Sequence, residues 1–362
     1  MKSLASRPIP LTSNKRAGRA PGICQEYDMT LSDMTLRKMA RLGWVSGLAL
    51  MAAGLHVTAT AAAAAQAYPS HMIKFVVPFP PGGGTDTLAR YAAQALEKEL
   101  KQPVVVENKP GAGTVIGTSY VAHAPADGYT ILVGSINTAT NRYLYKKLPY
   151  DPAAIMPLGG LAYSPSIIVT SEKKRFHDVK DLVAYSKAHP GKLNFASYGI
   201  GSSPHLGTEL LIQATGLDAT HVPYQGGGPA QASVLAGQTD FLMSSILPVL
   251  SLIKSGRLAG LGVAADKRLD ALPQVPTLKE QGIDLATGTW FGFFINSNTP
   301  APIVHKLDTA LSAVMARQGV LDFIAKEGAQ AMPGGRKAFT QFVTNEEQRW
   351  QKVIQLGKIS VD

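Results

Sequence analysis

Three glycines in a row, Gly82, Gly83 and Gly84, follow a proline-broken apolar run and lead into Thr85 and Asp86. The run, Met72 to Val77, has the pattern of a strand buried on both faces, and Pro78, Pro80 and Pro81 stop it. Beyond the glycines, Leu88, Ala92, Leu96 and Leu100 recur at helical spacing. A glycine loop between a strand and a helix start leaves backbone N–H groups unpaired at the positive end of the helix dipole, and such a site suits a small anion. Thr85 or Asp86 is placed to cap the helix. An Asp86 carboxylate would repel an anion, so its expected work is structural: it accepts N–H bonds at the helix start and holds the loop in shape. The amides of Gly83, Gly84 and Thr85, joined by the hydroxyls of Ser202, Ser203 and Tyr224, are enough to hold one carboxylate. Lys109 reads as a solvated residue at a loop edge rather than as the counter-charge.

Other chemistries find no support. The sequence has no Gly-x-Ser-x-Gly, hence no elbow for a serine nucleophile, and no Gly-x-x-x-x-Gly-Lys-[Ser/Thr] to cradle a nucleotide triphosphate. Gly111 to Gly117 misses the dinucleotide spacing by one residue and reads as a ligand loop or a simple turn. The histidines at 71, 123, 177, 189, 205, 221 and 305 form no His-x-x-x-His pair and no carboxylate arrangement of metal type. No cofactor or metal is expected, and an exported α/β enzyme acting on a small organic acid is the competing reading.

The first 67 residues differ from the rest. Arg37, Lys38 and Arg41 precede a mostly apolar stretch, Leu42 to Val57, and an alanine-rich run that ends in Ala65-Gln66-Ala67. This is the layout of a secretory signal peptide, with cleavage expected before Tyr68. A membrane span needs about 20 apolar residues, more than this core offers. A signal peptide starting at Met34 would be of ordinary length, so the true start is expected downstream of Met1. The whole sequence has 35 Lys and Arg against 25 Asp and Glu; residues 1–67 hold eight and three of these, leaving 27 against 22, or +5 instead of +10. That modest balance suits an anionic ligand, and no basic cluster with interleaved aromatics points to nucleic acid. Lys173-Lys174-Arg175 reads as a solvated turn. The single cysteine, Cys24, lies in the segment expected to be removed, so the expected exported product has no thiol, disulfide or thiolate metal site.

The elements that must position these groups alternate along the chain. Strand Pro103 to Glu107 and a helix near 115–124 follow the first unit, then strand Tyr129 to Gly134 with Ser135, Asn137 and Thr138 at its carboxyl end. A second series begins at Ser166 to Thr170, followed by a helix near 178–189, strand Leu193 to Ser197, and the loop Tyr198 to Ser203. Ser203 is expected to cap the next helix, with Pro204 in first position. His205 joins the candidates there. Strand His221 to Tyr224 leads into Gln225, Gly226 and a further helix, and strands Phe241 to Ser244 and Leu258 to Ala264 come after. An aromatic strand, Trp290 to Ile295, then crosses back, and amphipathic helices near 302–317 and 336–356 cover the sheet. Strand and helix in alternation predict parallel α/β sheets with ligands at the carboxyl ends of strands. The organisation expected is two α/β domains, 68–165 with 290–362 and an inserted 166–289, joined by crossings near 163–168 and 286–291, with a cleft between them.

The stretch Pro78 to Asp86 resembles the opening signature of the periplasmic solute-binding proteins of tripartite tricarboxylate transporters, often called the Bug family. Asn108 to Gly113, Ala126 to Thr130, His221 to Gly227 and Leu272 to Thr277 resemble its later signatures, in family order and at family spacing. The resemblance covers about residues 70 to 362. It implies a type II periplasmic-binding-protein fold that shuts on its ligand by hinge motion, no enzymatic activity, and delivery of a small carboxylate to integral membrane transporter subunits or to a sensor. It also implies that Asp86 borders the ligand where that ligand carries an ammonium or hydroxyl group. Three departures from the family pattern fall in the site: Tyr198 replaces a small residue, Gln225 replaces the commoner lysine, and no aspartate follows Met243-Ser244-Ser245. They leave open whether the far end is an aliphatic di- or tricarboxylate or a flat aromatic acid stacked on Phe79 or Tyr198.

Overall fold

A computed structural model describes residues 68–172 and 176–361; the expected signal peptide and the expected turn at 173–175 lie outside the described residues. Strand β1 (Ile73–Val77) has Phe75, Val76 and Val77 at 0% exposure, as an apolar run without alternation requires. It pairs in parallel with β2 (Val104–Asn108) on one side and β3 (Thr130–Ser135) on the other. Helix α1 (Gly84–Leu100) connects β1 to β2, and α2 (Val115–Ala122) connects β2 to β3.

From there the sheet is mixed rather than parallel throughout. β3 lies antiparallel to β9 (Gly288–Asn296), and β9 antiparallel to β4 (Ile155–Ser171), a strand of 17 residues. Residues 155–165 of β4 pair with β9, whereas residues 166–171 pair with β7 (Phe241–Ser245) and β8 (Leu258–Ala264). β7 continues in parallel to β5 (Asn194–Ser197), and β5 to β6 (Thr220–Pro223). β10 (Gln330–Ala331) adds to the first part of β4. The sequence hides the first part of β4 because Pro157, Gly159 and Gly160 read as a turn. The strand absorbs them in register shifts at Pro157/Gly159 and Gly160/Ala162. Gly160 and Gly292 leave room there for Met332 and Phe339 to press onto the sheet.

These pairings fix the geometry of the site. Through β9, β3 runs in the same direction as β4, while β7 runs against it. The carboxyl ends of β1–β3 therefore face those of β5–β7 across the middle of β4. Ser135 is level with Ala162 by way of Phe291, and Ser245 is level with Ser166. Four residues of strand, about 13 Å, separate the two levels.

One face of the β1–β3 side is buried under α1, α8 (Ala301–Met315) and α9 (Gln318–Lys326). The other is buried under α3 (Ile136–Leu144) and α10 (Gly335–Leu356), with Trp290, Phe294, Phe339 and Trp350 at its centre. The β5–β7 side has its own apolar clusters, built with α4 (Val179–Ala188), α5 (Ser203–Thr215), α6 (Gly227–Leu235) and α7 (Leu250–Lys254). Among the described residues no helix is long and apolar enough to cross a membrane.

Candidate binding site

The β1–α1 loop is shaped by one carboxylate. Asp86, 4% exposed, accepts the Gly82 N–H at 2.9 Å and Arg90 Nε at 2.9 Å on one oxygen, and Asn108 Nδ2 at 2.9 Å on the other. Asn108 also donates to the Phe79 carbonyl at 3.1 Å, which ties the loop to the end of β2. Burial pushes the Asp86 carboxyl up, but the bonds from Arg90, Gly82 and Asn108 outweigh it and hold the group below the ordinary carboxylate range. Neither Thr85 nor Asp86 caps the helix. Gly83 occupies the cap position with no side-chain bond, because Asp86 lies three residues inside and reaches back to Gly82 instead. The left-handed residue of the triplet is Gly82, φ 82°. Among the described residues, no hydrogen-bond acceptor meets the N–H groups of Gly83, Gly84 or Thr85, so the loop presents its amides unpaired.

At the end of β3 the chain turns directly into α3, placing Asn137 in a first helical turn rather than in a loop. The Ser135 N–H donates to Thr138 Oγ1 at 3.3 Å, while the buried Ser135 hydroxyl has no partner of normal geometry among the described residues. Asn137 Nδ2 donates to Gly201 O at 3.3 Å, joining the two sides of the slot.

The facing loop, 198–203, turns on Gly199 (φ 121°) and Gly201 (φ 73°). Ser202, not Ser203, is the cap residue of α5, and its hydroxyl donates to Gly199 O at 2.6 Å instead of to the helix. Ser203 opens the helix with Pro204 behind it, and its hydroxyl accepts from Thr289 Oγ1 at 2.6 Å. Tyr198 OH stands 2.5 Å from Ser244 Oγ, which in turn donates to Ser245 O at 2.8 Å. Burial raises the Tyr198 phenol, with the bonds from Ser244 and Gln231 pulling the other way. The hydroxyl is committed inside the protein, and what Tyr198 offers a ligand is its ring. His205 is likewise committed: its Nδ1 accepts the Gly201 N–H at 3.0 Å and its ring stacks on His221 at 3.9 Å. His221 lies 2.6 Å from Ser197 Oγ, and burial followed by the neighbouring His205 pushes it down to about 3. Tyr224, Gln225 and Gly226 (φ 102°) form the β6–α6 turn, with Gln225 exposed.

Lys109 does not face the slot's glycine loop as a counter-charge. It pairs with Glu107 at 2.6 Å and lies over the Tyr120 ring at 4.2 Å. Surface hollows of about 500 and 280 Å³ are lined around Tyr120 and around Lys180 and Lys187, and none of the candidate site residues lines either. Among the described residues there is no group of three or more His, Cys, Asp or Glu able to hold a metal. Unpaired amides and an aromatic ring can bind and orient an anion. Nothing in the sequence marked Leu247, which stands against Gly84, or Thr289, which donates to Ser203; Asn108, read there only within a motif, ties the loop to Asp86. Leu247 lies two residues past the carboxyl end of β7, the place where such sheets collect ligands.

The sequence pattern of the tripartite tricarboxylate transporter family receptors matches residues 88–359. Among solved structures, a Rhodopseudomonas palustris protein, Rpa4515 with adipate, is 32% identical with TM-score 0.77, over 81% of this chain and 100% of its own. MatC from the same organism, with bound malate, is 32% identical with TM-score 0.73 over 79% and 100%. The periplasmic binding protein BugD is 32% identical with TM-score 0.75 over 81% and 100%. The fold is thus the two-domain periplasmic-binding-protein α/β fold expected from the sequence.

Proposed function

The chain belongs to the tripartite tricarboxylate transporter receptor family, and we propose on that premise that it is a periplasmic solute-binding protein that captures a small dicarboxylate in the slot across β4. The observation that carries this is the β1–α1 loop, whose Gly83, Gly84 and Thr85 amides stand unpaired in a shape held by Asp86. Adipate and malate in the two structural relatives support an aliphatic dicarboxylate over an aromatic acid. In this reading one carboxylate lies on the glycine loop. Ser135 and Asn137 stand on the same side at the end of β3; Ser202, Ser203 and His205 line the facing loop; Tyr224, Gln225 and Gly226 lie at the far end; Phe79, Tyr198 and Ser244 form the walls.

Two lobes, 68–165 with 290–362 and 166–289, close on the ligand. The change of β4 partners at Pro165/Ser166 supports the first hinge. Thr287, which donates to Ala264 O at 3.0 Å and accepts from Ser166 N–H at 2.9 Å, supports the second. The loaded protein delivers to integral membrane transporter subunits or to a sensor. Export removes the residues before Tyr68, a boundary supported by the way Tyr68 is tied down: its hydroxyl donates to Gly128 O at 2.8 Å and its ring meets Tyr129 edge-on.

The test is calorimetry on protein recovered from the periplasm, whose intact mass should begin at Tyr68. Malate or adipate should bind, raise thermal stability, and lose most affinity as the diamide. Equal affinity for acid and amide, or turnover of the acid, would contradict the reading.

A further inference from the structure

Gly84 is the first residue of α1 and is not in the left-handed region, so its own backbone does not call for glycine. Its surroundings do. A Cβ at Gly84 would stand 2.8 Å from Leu247 Cβ, 3.4 Å from its Cδ1 and 3.6 Å from its Cγ. Leu247 comes from the turn after β7, yet it packs with Leu88, Phe291 and the core beneath α1 rather than with the apolar clusters of its own side. It is the one residue of the 166–287 stretch in that cluster. On the other face of the sheet Leu206 makes the same crossing, joining Leu144 and Trp290. Leucines from the β5–β7 side are thus packed into both cores of the β1–β3 side, Leu247 in one and Leu206, with Leu210 against it, in the other.

We propose that Leu247 is a positioning residue for binding: it seats the far lobe over the glycine loop, and position 84 is glycine to admit Leu247 rather than to admit the ligand. The proposal rests on the carboxylate reading of this loop. A leucine packed there keeps water from the first-turn amides, and a hydrogen bond from an amide to a carboxylate is stronger where water is excluded. It also makes closure bury apolar surface, which favours the closed arrangement whether or not the slot is filled.

The experiment exchanges one methyl-sized group across the contact. Gly84→Ala should give a larger scattering radius than wild type without ligand, and at least roughly fivefold weaker binding of adipate or malate as probe, since overpacking a tight contact typically costs that much or more. Its thermal unfolding should stay near wild type, because alanine suits a first helical turn. Adding Leu247→Gly, which removes the facing Cβ, should restore the radius and most of the affinity. A double variant as open and as weak as Gly84→Ala, or a Gly84→Ala protein indistinguishable from wild type, overturns the proposal. If the double variant does not fold, Leu247→Ala decides: a larger radius is expected, and an unchanged one overturns it. Failure of both probes to bind wild type would count against the carboxylate reading alone, since the ligand-free scattering arm judges Leu247 independently.

Discussion

Single residues in this protein divide into those that face the slot and those that hold the first kind still. His221 belongs to the second group. Stacked on His205 and Phe195 and 2.6 Å from Ser197 Oγ, it is pushed down to about 3 from an ordinary 6.5 by burial and by His205, and so remains neutral in the folded protein. Above pH 6.5 it is neutral in both folded and unfolded chains and gives no pH dependence. Below that the unfolded chain takes up a proton that the folded one refuses, so stability falls as pH drops from about 6.5 towards about 3. Unfolding midpoints measured across that range should therefore decline on acidification, and His221→Gln, which can still reach Ser197, should flatten the part of the decline above pH 5, where few carboxylates titrate. An unchanged slope in the variant would show that His221 is not held neutral.

At the scale of elements, β1, α1 and β2 are fastened together by the bonds to Asp86, and the loop they hold is the proposed anion site. Asp86→Asn keeps the shape of the side chain but loses its charge and sets an amide donor against Gly82 N–H, Arg90 or Asn108. Loss of charge-assisted hydrogen bonds of this kind is worth about 2 kcal/mol each, so a lower denaturant midpoint is expected, with weaker ligand binding as the loop loosens. A midpoint equal to wild type would mean the network does not hold the loop. The β1–α1 unit was legible in the sequence because its outline is local: prolines end the strand, glycines make the turn, and an apolar stripe marks the helix. What was not legible depends on distant partners. Residues 155–165 of β4 look like a turn until β9 supplies a ladder for them. The helix Ile136–Leu144 is masked by polar residues, Asn137, Thr138, Thr140 and Asn141, of which three are buried against neighbouring elements. The cap falls on Ser202 rather than on Ser203, whose hydroxyl is met by Thr289 from β9, and nothing in a sequence records such a distant partner. Leu247 stayed hidden for the same reason: a leucine after a strand is unremarkable until its neighbours prove to be the other lobe's core.

In the whole molecule, β4 and β9 run between the two proposed lobes, and the carboxylate of Glu346 stands beside that crossing. Glu346, 9% exposed on α10, accepts Trp290 Nε1 at 3.1 Å and Trp350 Nε1 at 2.8 Å on the same oxygen. Its neighbour Arg349 donates to Ala286 O at 2.8 Å, at the return segment. Trp290 is opposite Tyr163 in the ladder, two residues from the point where β4 changes partners. Trp290 lies on the crossing strand itself and Trp350 on the covering helix, so a hinge motion of the proposed lobes is expected to register at Trp290. The third tryptophan, Trp44, falls in the segment expected to be removed on export, so the processed protein carries these two alone. Ligand closure should therefore change the tryptophan emission of wild type and of Trp350→Phe, and the change should be lost in Trp290→Phe while calorimetry still registers binding. Scattering in parallel should report a smaller radius on ligand addition wherever the emission changes, because a ligand moves the equilibrium only by its extra contacts with the closed form. Tight binding with no change in either the emission of Trp350→Phe or the radius would show that the lobes do not move about this crossing, and that the slot is a rigid pocket filled without closure.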